Sequence, residues 1–115
     1  MPSKIVSFGF KHNGGRPPTV GPDAMVIDIR RRKGIRNPWH VPGLQARHGL
    51  DQDVQAYMCS GPGFHDAMAI LRHEIRNHPG PVYVGCQGGR HRSVYVAELL
   101  GGFYEVSVEH LDITE

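Results

Sequence analysis

The sequence predicts an α/β domain, a small and mostly parallel sheet flanked by helices, on three observations. Four short runs rich in β-branched and aromatic residues recur at about 4–10, 24–30, 82–86 and 104–110. Apolar residues at three- and four-residue spacing mark helices between them, the alternation expected of a parallel sheet. A glycine-rich turn, Cys86-Gln87-Gly88-Gly89-Arg90-His91-Arg92-Ser93, stands between a strand-like run and a helix-like one. At 115 residues the chain suits one hydrophobic core, so one domain over 1–115 and one site are expected.

Residues 4–10 alternate and suit a first strand, and residues 11–18, with Asn13-Gly14-Gly15 and Pro17-Pro18, form a loop. Residues 24–30 carry a nearly continuous apolar run, the pattern of a strand buried on both faces, and deliver Asp28 and Arg30 at its C-terminal end. From 31 to about 50 no periodicity holds, and Gly34, Pro38, Pro42, Gly43 and Gly49 punctuate the stretch. A loop this long in a compact domain is usually functional or mobile.

Asp51 is placed to cap a short helix through Tyr57. After the breakers Ser60-Gly61-Pro62-Gly63, a better helix over about 66–78 puts Ala67, Ile70, Leu71 and Ile75 on one face. Pro79-Gly80-Pro81 ends it, and residues 82–86 read as a short buried strand feeding the turn. Beyond the turn, Val94, Val96, Ala97, Leu99, Leu100 and Phe103 make a helix apolar over most of its circumference, as for a helix packed on the sheet. Gly101-Gly102 is expected to end that helix, and residues 104–110 alternate like a last strand.

Composition narrows the function classes. An apolar fraction of 39% and a charged fraction of 21% exclude disorder of the whole chain. No window approaches the roughly 18 apolar residues of a membrane span, and the first residues do not read as a signal peptide, so no membrane and a cytoplasmic location are expected. Cys59 and Cys86 then read as thiols. The eight histidines show no zinc spacing, and neither a metal nor a cofactor is expected. A net charge of +2 does not by itself argue for nucleic acid, but its distribution does: Arg30-Arg31-Arg32-Lys33 is followed by Arg36, and Arg90 and Arg92 flank His91.

The chemistry concentrates in the turn. A strand, a glycine-rich turn and a helix N-terminus aim backbone N–H groups and the positive end of a helix dipole at one spot, where an anion should sit. Gly88 and Gly89 permit close backbone approach, Arg90 and Arg92 offer fork-shaped donors, and His91 adds another. The crevice beyond the carboxyl ends of the strands would include Asp28 and Arg30. Asp28 could equally satisfy backbone donors at a strand end. No Gly-Lys-Ser/Thr follows, and the spaced glycines of a dinucleotide fingerprint are absent.

Cys86, Gly89, Arg92 and Ser93 do match the Cys-x-x-Gly-x-x-Arg-Ser turn of cysteine-dependent phosphatases, in which a thiolate attacks phosphorus and an arginine clamps the equatorial oxygens. Gly85 stands where those enzymes carry histidine, and only Asp51 and Asp53 present themselves as proton donors, by elimination. A binding loop with a buried thiol is therefore preferred, no catalytic residue is expected, and Cys86 with Arg92 forms the enzyme alternative. Trp39, His40 and Tyr57 could stack on bases, although a lone Trp beside a long loop more often anchors it.

Ser7-Phe8-Gly9-Phe10-Lys11, Asp28-Ile29-Arg30, Asn37-Pro38, Gly49-Leu50-Asp51 and Gly85-Cys86 through Gly88-Gly89 to His91-Arg92-Ser93-Val94 together resemble the C-terminal domain of RapZ-type RNase adapter proteins. The resemblance spans nearly the whole chain. It implies a regulatory module that binds RNA, presents a small RNA to a ribonuclease, and senses an amino-sugar phosphate, glucosamine 6-phosphate.

On that resemblance the pocket would use Asp28, Arg30, Cys86, Gly88, Gly89, His91 and Arg92, and Arg90 and Ser93 of the same turn join the phosphate set. The RNA surface would use Lys11, Arg30, Arg31, Arg32, Lys33 and Arg36. The family's N-terminal P-loop domain has no counterpart in these residues, so ATP or GTP binding is not expected of them, while an oligomer is compatible. Gln87 and Arg90 replace a common threonine and glutamine, and His110-Leu111-Asp112 stands where the family often has His-Arg-Asp.

Overall fold

The structure, a computed structural model, describes residues 1–114. Four strands, β1 (Lys4–Gly9), β2 (Met25–Asp28), β3 (Val82–Cys86) and β4 (Ser107–His110), form one sheet in the order β2-β3-β1-β4, with every neighbouring pair parallel. Helices α1 (Gln52–Cys59) and α2 (Phe64–Ile75) lie between β2 and β3 in sequence, and α3 (Arg92–Tyr104) joins β3 to β4. The architecture is the α/β fold that the sequence predicts, with helices packed against an all-parallel sheet.

Register sets Ser7, Val84 and Ile27 side by side, so alternate residues of neighbouring strands share a face. The face carrying Ile5, Ile27, Val82, Val84 and Cys86 shares one core with Val54 and Met58 of α1, Phe64, Met68 and Leu71 of α2, and Val96, Ala97 and Leu100 of α3. On the other face Val6 and Phe8 are fully buried. Phe10, in a 3-10 turn directly after β1, meets Phe8 edge-to-face with centroids 4.8 Å apart. Gly85 is needed beside them, because a Cβ there would come within 2.4 Å of the Phe8 ring and 2.6 Å of the Phe10 ring.

Several boundaries differ from the sequence reading, each for a packing reason. β2 is an edge strand with only Ile27 buried, and Val26 is 37% exposed; the apolar run belongs to a half-buried strand, not one covered on both faces. α2 starts at Phe64 and ends at Ile75, and its buried face is Phe64, Ala67, Met68, Leu71 and Ile75. Ile70, at 54% exposure, points away from that face. Gly101-Gly102 does not end α3, which continues to Tyr104 and closes at Glu105 in the left-handed region, φ 58°. Gly101 is instead a close-approach residue: a Cβ would stand 2.1 Å from Val108 Cγ2, so its absence lets α3 settle on β4. Leu99 and Phe103 face outward, and β4 begins only at Ser107. Asp51 caps α1 as expected, its carboxylate accepting from the N–H groups of Asp53 and Val54, and the helix runs to Cys59.

The strand order fixes where a ligand can be held. β1 and β3 are neighbours, yet the chain leaves β1 toward β2 and leaves β3 toward β4, in opposite directions along the sheet. Their C-terminal ends, with Gly9 opposite Cys86, therefore flank a topological switch point.

A candidate anion site at the switch point

The turn after Cys86 occupies that point. Its floor is Gly9: a Cβ there would lie 2.4 Å from the carbonyl carbon of Gly88 and 2.7 Å from Gly89 N, so glycine is required by close backbone approach. Gly89 adopts φ +75°. Two carbonyls of the turn are held on the β1 side: Lys11 N–H donates to Gln87 O at 3.0 Å, and the His12 ring donates from Nε2 to Gly88 O at 3.0 Å.

The thiol of Cys86 is buried inside the loop. Sγ accepts from Gly89 N–H at 3.3 Å and donates to the fully buried Ser93 hydroxyl at 3.2 Å. α3 then opens at Arg92 without a side-chain cap, so the positive end of its dipole is directed at the turn. The Arg92 guanidinium is buried and gives one N–H to the carbonyl of Arg30 at 3.1 Å, which pins it across the site.

A cavity of about 310 Å³ opens over the turn, lined by Cys86, Gln87, Gly88, Arg90, His91 and Arg92, with Lys11, Asn37 and Trp39 on its other walls. Asn37 caps a 3-10 turn over Pro38–His40 by accepting from Trp39 N at 3.1 Å, which stations the half-exposed indole at the cavity. Burial holds the His91 imidazole below its ordinary range, and backbone carbonyls of Arg47, Leu44 and Gln45 oppose that shift only in part. His91 Nε2 is buried without a hydrogen-bond partner.

The structure thus gathers the turn residues into one wall, but arranges the other predicted residues differently. Asp28 and Arg30 form a forked ion pair, 2.7 Å at its shortest, and Arg30 lies 3.8 Å over the Phe10 ring. Its side-chain hydrogen bonds to Arg30 hold the Asp28 carboxylate below the usual range, against a desolvation cost. Neither residue lines the cavity; the pair is tied to it through the Arg30 carbonyl, which accepts from Arg92.

Within the basic loop, Arg32 makes a two-pronged pair with Glu74 at 2.6 and 2.7 Å. Arg36 stacks on Tyr57 at 3.8 Å and donates to its carbonyl, so that ring is covered. Arg31, Lys33 and Lys11 are exposed. Asp51 and Asp53 are both engaged by Arg47, at 3.3 and 2.6 Å, and Asp51 also caps α1.

Sequence reasoning missed the far wall. The sequence points Lys11 toward RNA and not the cavity, offers Trp39 as a base-stacking or loop-anchoring residue, and gives Asn37 no role beyond the family resemblance. Asn37-Pro38 was a legible capping signal; its position over a turn fifty residues away was not. Among the described residues no cluster of histidine, cysteine and carboxylate side chains could hold a metal ion, and no helix is long and apolar enough to cross a membrane.

The family described as the RapZ C-terminal domain matches residues 1–114. A nucleotide-binding protein of Thermus thermophilus is 37% identical over 96% of this chain and 42% of its own length. Nucleotide-binding proteins of Corynebacterium glutamicum and Bacillus cytotoxicus are 37% and 32% identical, over 95% of this chain and 38% and 39% of theirs. The chain spans about two fifths of the length of these relatives.

Proposed function

The chain belongs to the RapZ C-terminal domain family, and from that premise we propose that it is a regulatory module that binds a phosphorylated amino sugar, with glucosamine 6-phosphate as first candidate, and RNA. One observation carries the reading: the glycine-rich turn, the α3 N-terminus and the buried Arg92 converge on a cavity that also reaches Lys11 and Trp39. Its volume of about 310 Å³ lies at the bottom of the range for small-molecule pockets and is more than a phosphate group alone occupies. The phosphate would lie on Gly88, Gly89, Arg90, Arg92 and His91, and the sugar would extend toward Asn37 and Trp39. Cys86 and Ser93 shape the loop from inside, and Asp28 and Arg30 brace Arg92.

RNA would be met by backbone-phosphate contacts from Lys11 and the 30–36 loop. The exposed Arg31 and Lys33 would lead, and Arg30, Arg32 and Arg36 would hold the loop's shape through Asp28, Glu74 and Tyr57. A ribonuclease is the protein partner that the resemblance implies. Nucleotide binding, a property in the names of longer relatives, is not carried over.

Calorimetric titration with glucosamine 6-phosphate, glucosamine and inorganic phosphate tests the pocket. Selective uptake of the amino-sugar phosphate, lost in Arg92→Ala, is expected; equal weak uptake of all phosphates reduces the site to a generic anion trap. For RNA, the slope of log affinity against log salt should shrink in Arg31→Ala/Lys33→Ala.

A second reading has its own observation. Cys86 Sγ sits between Gly89 N–H and the Ser93 hydroxyl, the surroundings that a nucleophilic thiolate in a phosphatase loop needs. Hydrolysis of p-nitrophenyl phosphate by the protein, abolished in Cys86→Ser, would move this reading ahead.

A further inference from the structure

The floor of the anion turn is made by β1 together with the segment that follows β4. Gly89 has no room for a side chain: its Cβ would meet Gly9 N at 2.6 Å, the Phe8 carbonyl carbon at 2.9 Å and Asp112 Cβ at 2.9 Å. The Asp112 carboxylate in turn accepts from Gly9 N–H at 2.8 Å. Carboxylate, strand end and turn are thus stacked with no slack between them.

The segment is fastened upstream as well. Leu111 N–H donates to the Ser7 carbonyl at 3.0 Å. His110 reaches the Ser7 hydroxyl with Nδ1 at 2.6 Å and gives Nε2–H to the Glu98 carboxylate at 2.8 Å. The row Ser7, His110, Glu98 has the residue types of a hydrolytic triad, but Ser7 is fully buried in mid-strand, where no substrate reaches it. Its role is to lock β4 to β1 and α3.

A carboxylate this close to an anion site has the wrong sign for binding. Its charge-assisted bond to Gly9 N–H supplies the reason for its place. We propose that Asp112 is a positioning residue of the anion turn: through Gly9 it sets the level on which Gly88 and Gly89 rest, and its charge tempers the affinity of the finished site. The functional half of this proposal rests on the phosphate-binding reading above; the structural half does not.

The two effects separate by substitution. Asp112→Asn keeps an acceptor for Gly9 N–H and removes the charge, whereas Asp112→Ala removes both. The experiment is the rate of iodoacetamide alkylation at Cys86 and at Cys59, resolved by peptide mapping, in wild type and both variants under conditions where all are folded. Cys86 Sγ is enclosed by the turn, so its rate reports the shape of the loop without any ligand, and Cys59 on α1 reports general loosening.

Asp112→Ala should speed Cys86 on the order of tenfold with Cys59 unchanged, the scale set by losing a charged acceptor for a backbone donor. Asp112→Asn should stay near wild type. In parallel titrations with inorganic phosphate, Asp112→Asn should bind at least as tightly as wild type and Asp112→Ala more weakly. An unchanged Cys86 rate in Asp112→Ala, or equal acceleration of both cysteines, overturns the positioning role. If wild type takes up no phosphate while Cys86 still responds selectively, the phosphate reading and the affinity half of the proposal fall, and the positioning role stands.

Discussion

Replacing Gly9 by alanine probes the contact on which the site depends. The new methyl would stand 2.4 and 2.5 Å from the carbonyl carbon and oxygen of Gly88 and 2.7 Å from Gly89 N, all backbone atoms that cannot rotate aside. Ordinary carbon contacts lie at about 3.5–4.0 Å, so β1 and the turn must separate by roughly 1 Å. Overpacking of this kind costs about 1–3 kcal/mol. With a urea dependence of about 1–3 kcal/mol per molar for a small domain, a loss near 2 kcal/mol lowers the unfolding midpoint by about 1 M.

The same displacement breaks the Asp112–Gly9 bond and tilts the Gly88–Gly89 backbone, so phosphate affinity should fall together with stability. Urea unfolding followed by circular dichroism, with calorimetry on the folded variant, measures both. A Gly9→Ala protein with wild-type midpoint and wild-type phosphate affinity would refute the argument that strand and turn touch here.

Three further outcomes follow from the same geometry. Gly102→Ala, with nothing within 4 Å of the new methyl in the last turn of α3, should stabilise by up to about 1 kcal/mol, whereas Gly101→Ala should destabilise because Val108 Cγ2 lies 2.1 Å from its Cβ; urea midpoints moving in the same direction would contradict this. Asp51→Ala removes the α1 cap and should cost about 1 kcal/mol, read as a lower melting temperature. Burial depresses the His91 pKa below 6.5, so the unfolded chain binds a proton there that the folded chain does not; stability should decline as pH falls through about 6.5, and His91→Gln should flatten that decline, with parallel melting-temperature profiles counting against the assignment.

Local chemistry was legible in the sequence wherever a residue acts on its own neighbours. Asp51 caps α1 because its carboxylate reaches the N–H groups two and three residues on, a relation that survives any tertiary context. The turn from Cys86 to Ser93 was legible for the same reason: a buried run, two glycines and a helix that starts at once leave one way for the backbone to go. The Asp51 cap also located α1, and periodicity located α2, α3 and all four strands to within a few residues.

Tertiary structure decided the rest. The pair Gly101-Gly102 reads as a helix stop until Val108 is brought against it, because only packing tells a glycine that breaks a helix from one that lets a strand approach. Ile70 and Ala67 are both apolar at helical spacing, and the angle at which α2 meets the sheet buries one and exposes the other. Asp112 touches Gly9 across 103 residues of sequence, and Asn37 and Trp39 face Gly88 across about fifty. The amino-acid order by itself determined a parallel α/β fold with a glycine-rich turn between a strand and a helix N-terminus; the walls and floor of the candidate site come from segments joined only by the strand order β2-β3-β1-β4, since contacts between distant residues are set by which strands become neighbours and not by local preference.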